Sequence, residues 1–373
     1  MAKVLRHLKG PFGLALLVLV GVAAAGGGLV SADHAVRLAS RPLGATRLAI
    51  GPKKTLPAPQ ALQDDLDAIA ADFREPLGVA VTDVTTGWTA GVDKDRPYPQ
   101  QSVSKLWVAI TVMKAIDQRR LAWDAPVTLT DADRSVFFQP VAYNIRGDGY
   151  QTHLSDLLRR ALVESDNAAN DRLMREMGGP GGVAAALADM GLTGVKVGAY
   201  ERDLQARTAG LAWRPEYGIG WNFQAAREQL PKAEREAAMA AYLAEPLDGS
   251  SPAGITTALA ALSRGELLSP DSTQKILALM HAARTGPQRL KGGLPAGWSI
   301  AHKTGTGQDF EGYSNGINDV GLLTAPDGHT YAVAVMMRHT RRPVPERLAF
   351  MQAVTRAVAA QWARDRSGEA SAL

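Results

Sequence analysis

Cysteine is absent from the 373 residues. Thiol nucleophiles, disulfides and cysteine-ligated zinc or iron–sulfur centres are thereby excluded. Histidine is scarce. The seven present show no metal-ligand spacing, so neither a metal nor any other cofactor is expected. The body also lacks charge of one sign. The formal net charge is +4, but Lys3, Arg6 and Lys9 are the only formal charges in residues 1–32, and setting those three aside leaves +1 for residues 33–373. A nearly neutral body offers no electrostatic case for nucleic acid. Glycine and proline follow no fixed period, which excludes collagen-like sequence. What is present is a 46% hydrophobic, 21% charged composition, ordinary for a chain that buries a real core. The length allows two domains of common size or one two-lobed domain.

The N-terminus addresses location. Met1–Gly10 is short and basic, Phe12–Val30 is charge-free, and Val30-Ser31-Ala32 supplies the small residues that a signal peptidase reads. Phe12–Val30 is just long enough to span a bilayer as a helix, although Gly26-Gly27-Gly28 weakens it as one. Residues 1–32 therefore read as a cleaved signal or a retained anchor. Either way the remainder is exported, to the periplasm or to the outer face of the inner membrane. Residues 33–59, rich in Pro, Lys and small side chains, read as a linker.

Apolar spacing of three and four at Leu62, Leu66, Ile69 and Phe73 predicts a helix over Gln60–Phe73. Leu77–Asp83 and Trp88–Val92 read as strands about a Thr86-Gly87 turn. Val320–Leu323 and Tyr331–Met337 flank Pro326-Asp327-Gly328, a hairpin signal, and Arg347–Trp362 reads as a terminal helix. The middle is mostly helical: Ser102–Asp117, Leu154–Met177, Val183–Met190, Pro252–Arg264 and Ser272–Ala283. Strands at both ends of a helical middle imply an α+β fold: one antiparallel sheet flanked by N- and C-terminal helices, plus an all-helical lobe. No internal repeat is evident.

Three short motifs carry chemistry. In Ser102-Val103-Ser104-Lys105, a serine three residues ahead of a lysine on a starting helix places hydroxyl and amine on one face. The helix N-terminus disfavours an ammonium and favours an oxyanion, so Lys105 could take the Ser102 proton. A capped helix with a solvated lysine has the same pattern. Ser165-Asp166-Asn167 sits between helical runs, and three such residues mark a loop or a break. Lys303-Thr304-Gly305-Thr306-Gly307 suits a strand edge on which a substrate backbone could pair, or a plain hairpin turn.

In this order and in an exported chain, Ser-x-x-Lys, Ser-Asp-Asn and Lys-Thr-Gly are the signature set of the penicillin-recognising serine acyltransferases, comprising β-lactamases and penicillin-binding proteins. The sequence resembles that superfamily, and specifically the class A β-lactamases, over about residues 60–365, including LGVAVTDVTTGWTAGVD, GELLSPDSTQKILALM and LPAGWSIAHKTGTG. Glu201, at Ser165 plus 36, matches the class A glutamate. The resemblance implies an active site between the lobes, with Ser102 the acylated nucleophile and Lys105 its proton partner. Ser165 would relay the proton to the lactam nitrogen, and Glu201 would be the deacylation base. Asn167 would hold the substrate side-chain amide. The backbone N–H groups of Ser102 and Thr306 would form an oxyanion hole. Lys303, Thr304, Gly305 and Thr306 would bind the carboxylate side of the substrate, and Arg289 matches an arginine some class A enzymes add there. Phe138 resembles an aromatic that walls the site entrance, against its plain reading as a core Phe.

The sequence departs from that pattern in three places. Gln205 stands for the usual Asn that holds the hydrolytic water and is one methylene longer. Ala199 replaces an arginine that pins the loop by an ion pair. Residues 206–247 enlarge the loop, with Trp213, Tyr217, Trp221 and Phe223 ahead of a helix-like AEREAAMAAYLAE. That insert reads as a lid or as a satellite cluster on the helical lobe. Residues 366–373 read as a flexible tail. Gly312-Tyr313-Ser314-Asn315-Gly316 fits a nucleophile-elbow pattern, but the strand-like run after it argues otherwise. Gly178–Gly182 has no phosphate-loop lysine and reads as a helix-to-helix turn. The expected activity is a monomeric serine β-lactamase. A D-alanyl-D-alanine peptidase acting on peptidoglycan stems is the alternative, and a non-catalytic binding protein a third reading.

Overall fold

The computed structural model describes residues 56–371. The readings of residues 1–32 as signal or anchor, and of 33–55 as linker, lie outside the described residues.

Helix α1 (Gln60–Phe73) forms over the predicted span, burying Leu62, Leu66 and Phe73. It leads into β1 (Leu77–Asp83) and β2 (Thr89–Val92). After a 3₁₀ turn at Gln101–Val103 comes α2 (Ser104–Asp117), a helix apolar nearly all round, as a central core helix must be. Leu106, Trp107, Val108, Ala109, Ile110, Val112 and Met113 are all buried. A small ribbon of β3 (Pro126–Leu129) and β4 (Tyr150–His153) precedes α3 (Leu154–Arg159).

The predicted continuous helix Leu154–Met177 is broken. A π-turn at Arg160–Glu164 ends in left-handed Ser165 (φ 66°), and α4 (Asn167–Glu176) restarts with Asp166 as N-cap, its carboxylate accepting from Ala169 N. The lobe continues through α5 (Gly179–Asp189), α6 (Glu201–Thr208), α7 (Asn222–Gln229), α8 (Lys232–Ala244), α9 (Pro252–Ser263) and α10 (Pro270–His281). Helices α9 and α10 each open on a serine cap followed by proline, Ser251-Pro252 and Ser269-Pro270.

The chain then returns to the sheet as β5 (Ser299–Thr306), β6 (Asp309–Phe310), β7 (Tyr313–Thr324) and β8 (Thr330–Thr340), and closes with α11 (Val344–Ser371). The terminal helix runs past Trp362, so residues 366–371 are helical rather than a loose tail. The strand order is β2-β1-β8-β7-β5, all antiparallel, with β6 pairing β7. Alternation along β8 sends Tyr331, Val333, Val335 and Met337 to a core with α1 and α11, and Ala332, Ala334 and Met336 to the larger core of the helical lobe. Of the GYSNG run, Gly312 is in the turn before β7 and Tyr313–Gly316 lie in the strand itself, so it forms no strand-to-helix elbow. No helix among the described residues is long and apolar enough to cross a membrane.

The enlarged segment is folded. Tyr217 and Phe223 pack with Val136, Ala206 and Ala209, and Trp213 joins them, in a small core of their own. Trp221 is 79% exposed and stands outside it. The satellite reading therefore holds for three of the four aromatics.

Candidate active site

Edge strand β5 and the N-terminus of α2 meet at the boundary between sheet and lobe. Their approach depends on Gly305, where a side chain would collide with the Gln100 carbonyl. Asn318 on β7 fixes the same contact, donating to the carbonyls of Pro99 (2.7 Å) and Gln100 (2.9 Å). A cavity of about 520 Å³ opens here, lined in part by Ser102, Ser165, Asn167, Glu201, Thr304 and Thr306.

Ser102 follows Gln101, a non-glycine residue held at φ 53°. Such a backbone persists only when its surroundings over-determine it. Here they do. Gln101 N donates to Asp248 Oδ2 (2.6 Å), its Nε2 donates to Tyr242 Oη (2.6 Å), and its Oε1 accepts from Gln205 Nε2 (2.8 Å). Fully buried Lys105 bridges nucleophile and loop, with Nζ 2.8 Å from Ser102 Oγ and 2.7 Å from Glu201 Oε2. Across the cavity, equally buried Lys303 donates to Ser165 Oγ (2.9 Å) and to the Thr304 carbonyl (3.0 Å). Ser102, Lys105 and Glu201 thus form one hydrogen-bonded set and Ser165 and Lys303 a second, facing it across the cavity.

The two lysines differ in charge environment. Burial, then the Lys105 charge, push the Lys303 amine well below the ordinary lysine range. Burial alone would raise the Glu201 carboxyl, but the adjoining Lys105 ammonium outweighs it and holds Glu201 below the ordinary carboxylate range.

The enlarged loop leaves Glu201 in place, and its fastening differs from the one the resemblance implies. Asp171 on α4 accepts from Glu201 N (2.6 Å), Arg202 N (3.2 Å) and Ser135 Oγ (2.8 Å). Asp248, with Ala199 in place of an arginine, takes Gln101 N and Tyr242 Oη (3.0 Å) instead. Tyr242 belongs to the insert, so the insert is stitched to the turn before the nucleophile. Burial, aided by Glu201's charge, raises Asp171 to about 6, and burial raises Asp248 to about 6. Gln205 uses its extra methylene to span Glu201 Oε1 (3.0 Å) and Gln101 Oε1, while its own oxygen accepts from Gln308 Nε2 (2.9 Å). The amide is committed to neighbouring side chains rather than left free beside Glu201.

The remaining sequence-predicted residues divide between wall and support. Asn167 lies on the wall, its Nδ2 donating to the Val136 carbonyl (2.8 Å). Phe138 is 54% exposed at the rim, not a core residue. Arg289 also lines the cavity. It donates to the carbonyls of Gly305 (2.9 Å) and Asn318 (2.6 Å) and to Thr306 Oγ1 (2.6 Å), bracing the strand it flanks. Gly305 serves the close packing of β5 against the α2 turn. Reading the sequence missed Asp171, Asp248, Tyr242, Gln101, Gln308, Phe137 and Arg227. Only Asp248 carries a signal in the sequence: it opens Asp248-Gly249-Ser250-Ser251-Pro252, the turn-rich stretch directly after the insert. Among the described residues no group of His, Asp and Glu could hold a metal ion.

Comparison with known proteins gives a consistent picture. A family model described as the beta-lactamase enzyme family matches residues 61–362. The extended-spectrum beta-lactamase PER-1 of Pseudomonas aeruginosa is 27% identical over 74% of this chain and 79% of that one. A beta-lactamase of Mycobacterium tuberculosis is 30% identical over 76% of this chain and 79% of its own length. Among solved structures, a beta-lactamase from Chitinophaga pinensis superposes with TM-score 0.64 at 26% identity, covering 80% of this chain and 97% of that one. The class A beta-lactamase of the last common ancestor of Gram-negative bacteria gives 0.63 at 28% identity over 81% and 99%.

Proposed function

The chain belongs to the β-lactamase enzyme family, in its class A branch, and from that premise we propose how its own residues hydrolyse a β-lactam. The observation that carries the proposal is Lys105 Nζ lying 2.8 Å from Ser102 Oγ and 2.7 Å from Glu201 Oε2. Lys105 passes a proton to Glu201 and, as the amine, takes the proton of Ser102 while Oγ attacks the lactam carbonyl. The backbone N–H groups of Ser102 and Thr306 receive the developing oxyanion, a contribution of ~3–4 kcal/mol for such a donor. As the tetrahedral adduct collapses, the C–N bond breaks and Ser165 Oγ protonates the leaving nitrogen. The net proton movement is from Ser102 to that nitrogen.

The substrate carboxylate lies against Thr304, Thr306 and Arg289, and its charge draws the depressed Lys303 amine back toward the ammonium form. Asn167 and Phe138 hold the acyl side. Once Lys105 has passed the Ser102 proton on through Ser165, Glu201 returns its proton to Lys105 and is ionised again. In the second half-reaction Glu201 removes a proton from water attacking the Ser102 ester, and Ser102 leaves with a proton returned through Lys105.

Mixing with a chromogenic cephalosporin tests this directly. Continuous turnover is expected. A single stoichiometric burst would transfer the reading to a D-alanyl-D-alanine peptidase of peptidoglycan, and no reaction would leave a binding protein. We further propose that the protein is exported, supported by Lys3, Arg6 and Lys9 ahead of charge-free Phe12–Val30. N-terminal sequencing of the protein recovered from fractionated cells tests this: an intact leader on cytoplasmic protein would overturn it.

A further inference from the structure

The inference rests on the hydrolase reading above and adds the chemistry of the substrate side chain. We propose that Arg227, contributed by the inserted helix α7, is a specificity-determining residue that selects β-lactams whose acyl side chain carries a second anionic group. Helix α7 is held from below: Phe223 is buried, packed edge-on to Phe137 (5.2 Å) and Tyr217 (5.9 Å). Arg227 follows Phe223 by four residues and so shares its side of the helix, and it lies on the cavity wall with Phe137, Phe138, Gln308 and Asp309.

Its fixed partner is a carbonyl, since Nη2 donates to Asp309 O at 2.7 Å. Among the described residues no carboxylate forms an ion pair with it, and the Asp309 carboxylate takes a hydrogen bond from Ser314 Oγ (2.6 Å). The other cavity-wall acids are also engaged, Glu164 with Arg159 (2.6 Å) and Glu201 with Lys105. A half-buried guanidinium with spare donors, opposed by the Glu228 and Asp309 carboxylates only through space and not by a contact ion pair, can still take an incoming anion. Burial and the neighbouring Arg235 charge both disfavour this cation as it stands, which an added anion would relieve.

Position assigns the anion to the acyl side chain. Thr306 and Arg289 mark the lactam-carboxylate end, whereas Asp309 lies three residues farther along, up to about 10 Å of extended chain. The acyl side chain leaves Ser102 toward that second end, past Asn167 and Phe138.

The test uses the full chain and two penicillins that differ by one carboxylate on the side chain, benzylpenicillin and its α-carboxy analogue carbenicillin. Acylation rate constants come from competition with a fluorescent penicillin. The carbenicillin-to-benzylpenicillin ratio should fall about tenfold in Arg227→Gln, and Arg227→Lys should retain most of it. In wild type the ratio should decline with rising salt, because screening weakens a charge pair. If Arg227 merely props the Asp309 turn, both drugs slow together, the ratio holds, and the proposal is overturned. A salt-independent wild-type ratio overturns it even if the variants do not fold. A wild type acylated by neither drug instead defeats the hydrolase reading, and this inference with it.

Discussion

The Ser102 half and the Glu201 half of the cavity are secured by different physics. Ser102 sits on the 3₁₀ turn that leads into a buried helix carrying Lys105, and Lys303 to Thr306 lie on a strand hydrogen-bonded to β7 along its length. Their geometry follows from backbone periodicity. Glu201 instead stands at the head of a loop fastened by two buried carboxylates, Asp171 and Asp248, that accept backbone N–H groups and make no ion pair among the described residues. A buried acid without a cation is an expensive fastener, because its charged form bears the desolvation cost. It also holds the loop without a fixed arginine partner, so Glu201 reaches Lys105 although the segment between Gln205 and Asp248 is long.

The comparison can be broken at several points. The largest effect is expected from Ser102→Ala, which should lower turnover by ~10³-fold or more and abolish labelling by a fluorescent penicillin in a folded protein. Labelling that persists would remove Ser102 from the nucleophile role. Glu201→Gln should separate the halves. Acylation should continue, because Ser102, Lys105 and the oxyanion donors are untouched, while water goes unactivated. Mass spectrometry should show the protein plus one drug mass, with turnover reduced by ~10²–10⁴-fold. Turnover like wild type would mean another base.

Phe223→Ala tests whether the satellite core supports the loop. Emptying a buried Phe site should cost about 3 kcal/mol by urea denaturation. A loss well below 1 kcal/mol would detach the insert from the site's stability. Smaller still is the acid-side effect of Asp248. Its folded-state value of about 6 lies above the ordinary 3.8. Between those values the native state holds the extra proton, so stability falls as pH rises from about 4 to about 6 and stays lower beyond. Asp248→Asn removes that slope, and its Tm relative to wild type should improve between about pH 4.5 and about pH 7.5. A constant difference would mean that Asp248 bears no burial penalty. Trp221→Ala, at an exposed position, should stay within about 0.5 kcal/mol. A larger loss would give Trp221 a partner that the satellite core lacks.

The same contrast explains what was legible in the sequence. Residues placed by helix or strand period were readable: Leu62, Leu66 and Phe73, the alternation of Tyr331–Met337, and the motif residues Ser102, Lys105, Ser165 and Lys303. The fasteners were not. Asp171 reads as one more polar residue of a helix, and Tyr242 as the apolar face of another. Each acquires its role only when segments far apart in sequence pack together. Gly305 reads as part of a binding motif, yet its lack of a side chain serves the approach of one backbone to another. Arg227 lies in a segment for which the resemblance offers no counterpart.

The sheet's topology also sets a timetable. Strand β1 pairs locally with β2 but joins the rest of the sheet only through β8, with Ala80 facing Ala334 across about 250 residues of intervening chain. Contacts of such long sequence separation form late and slow the folding search. Ser102 therefore leaves the ribosome long before the strand that completes its cavity, and reactivity toward an acylating drug becomes a reporter of the last folding step.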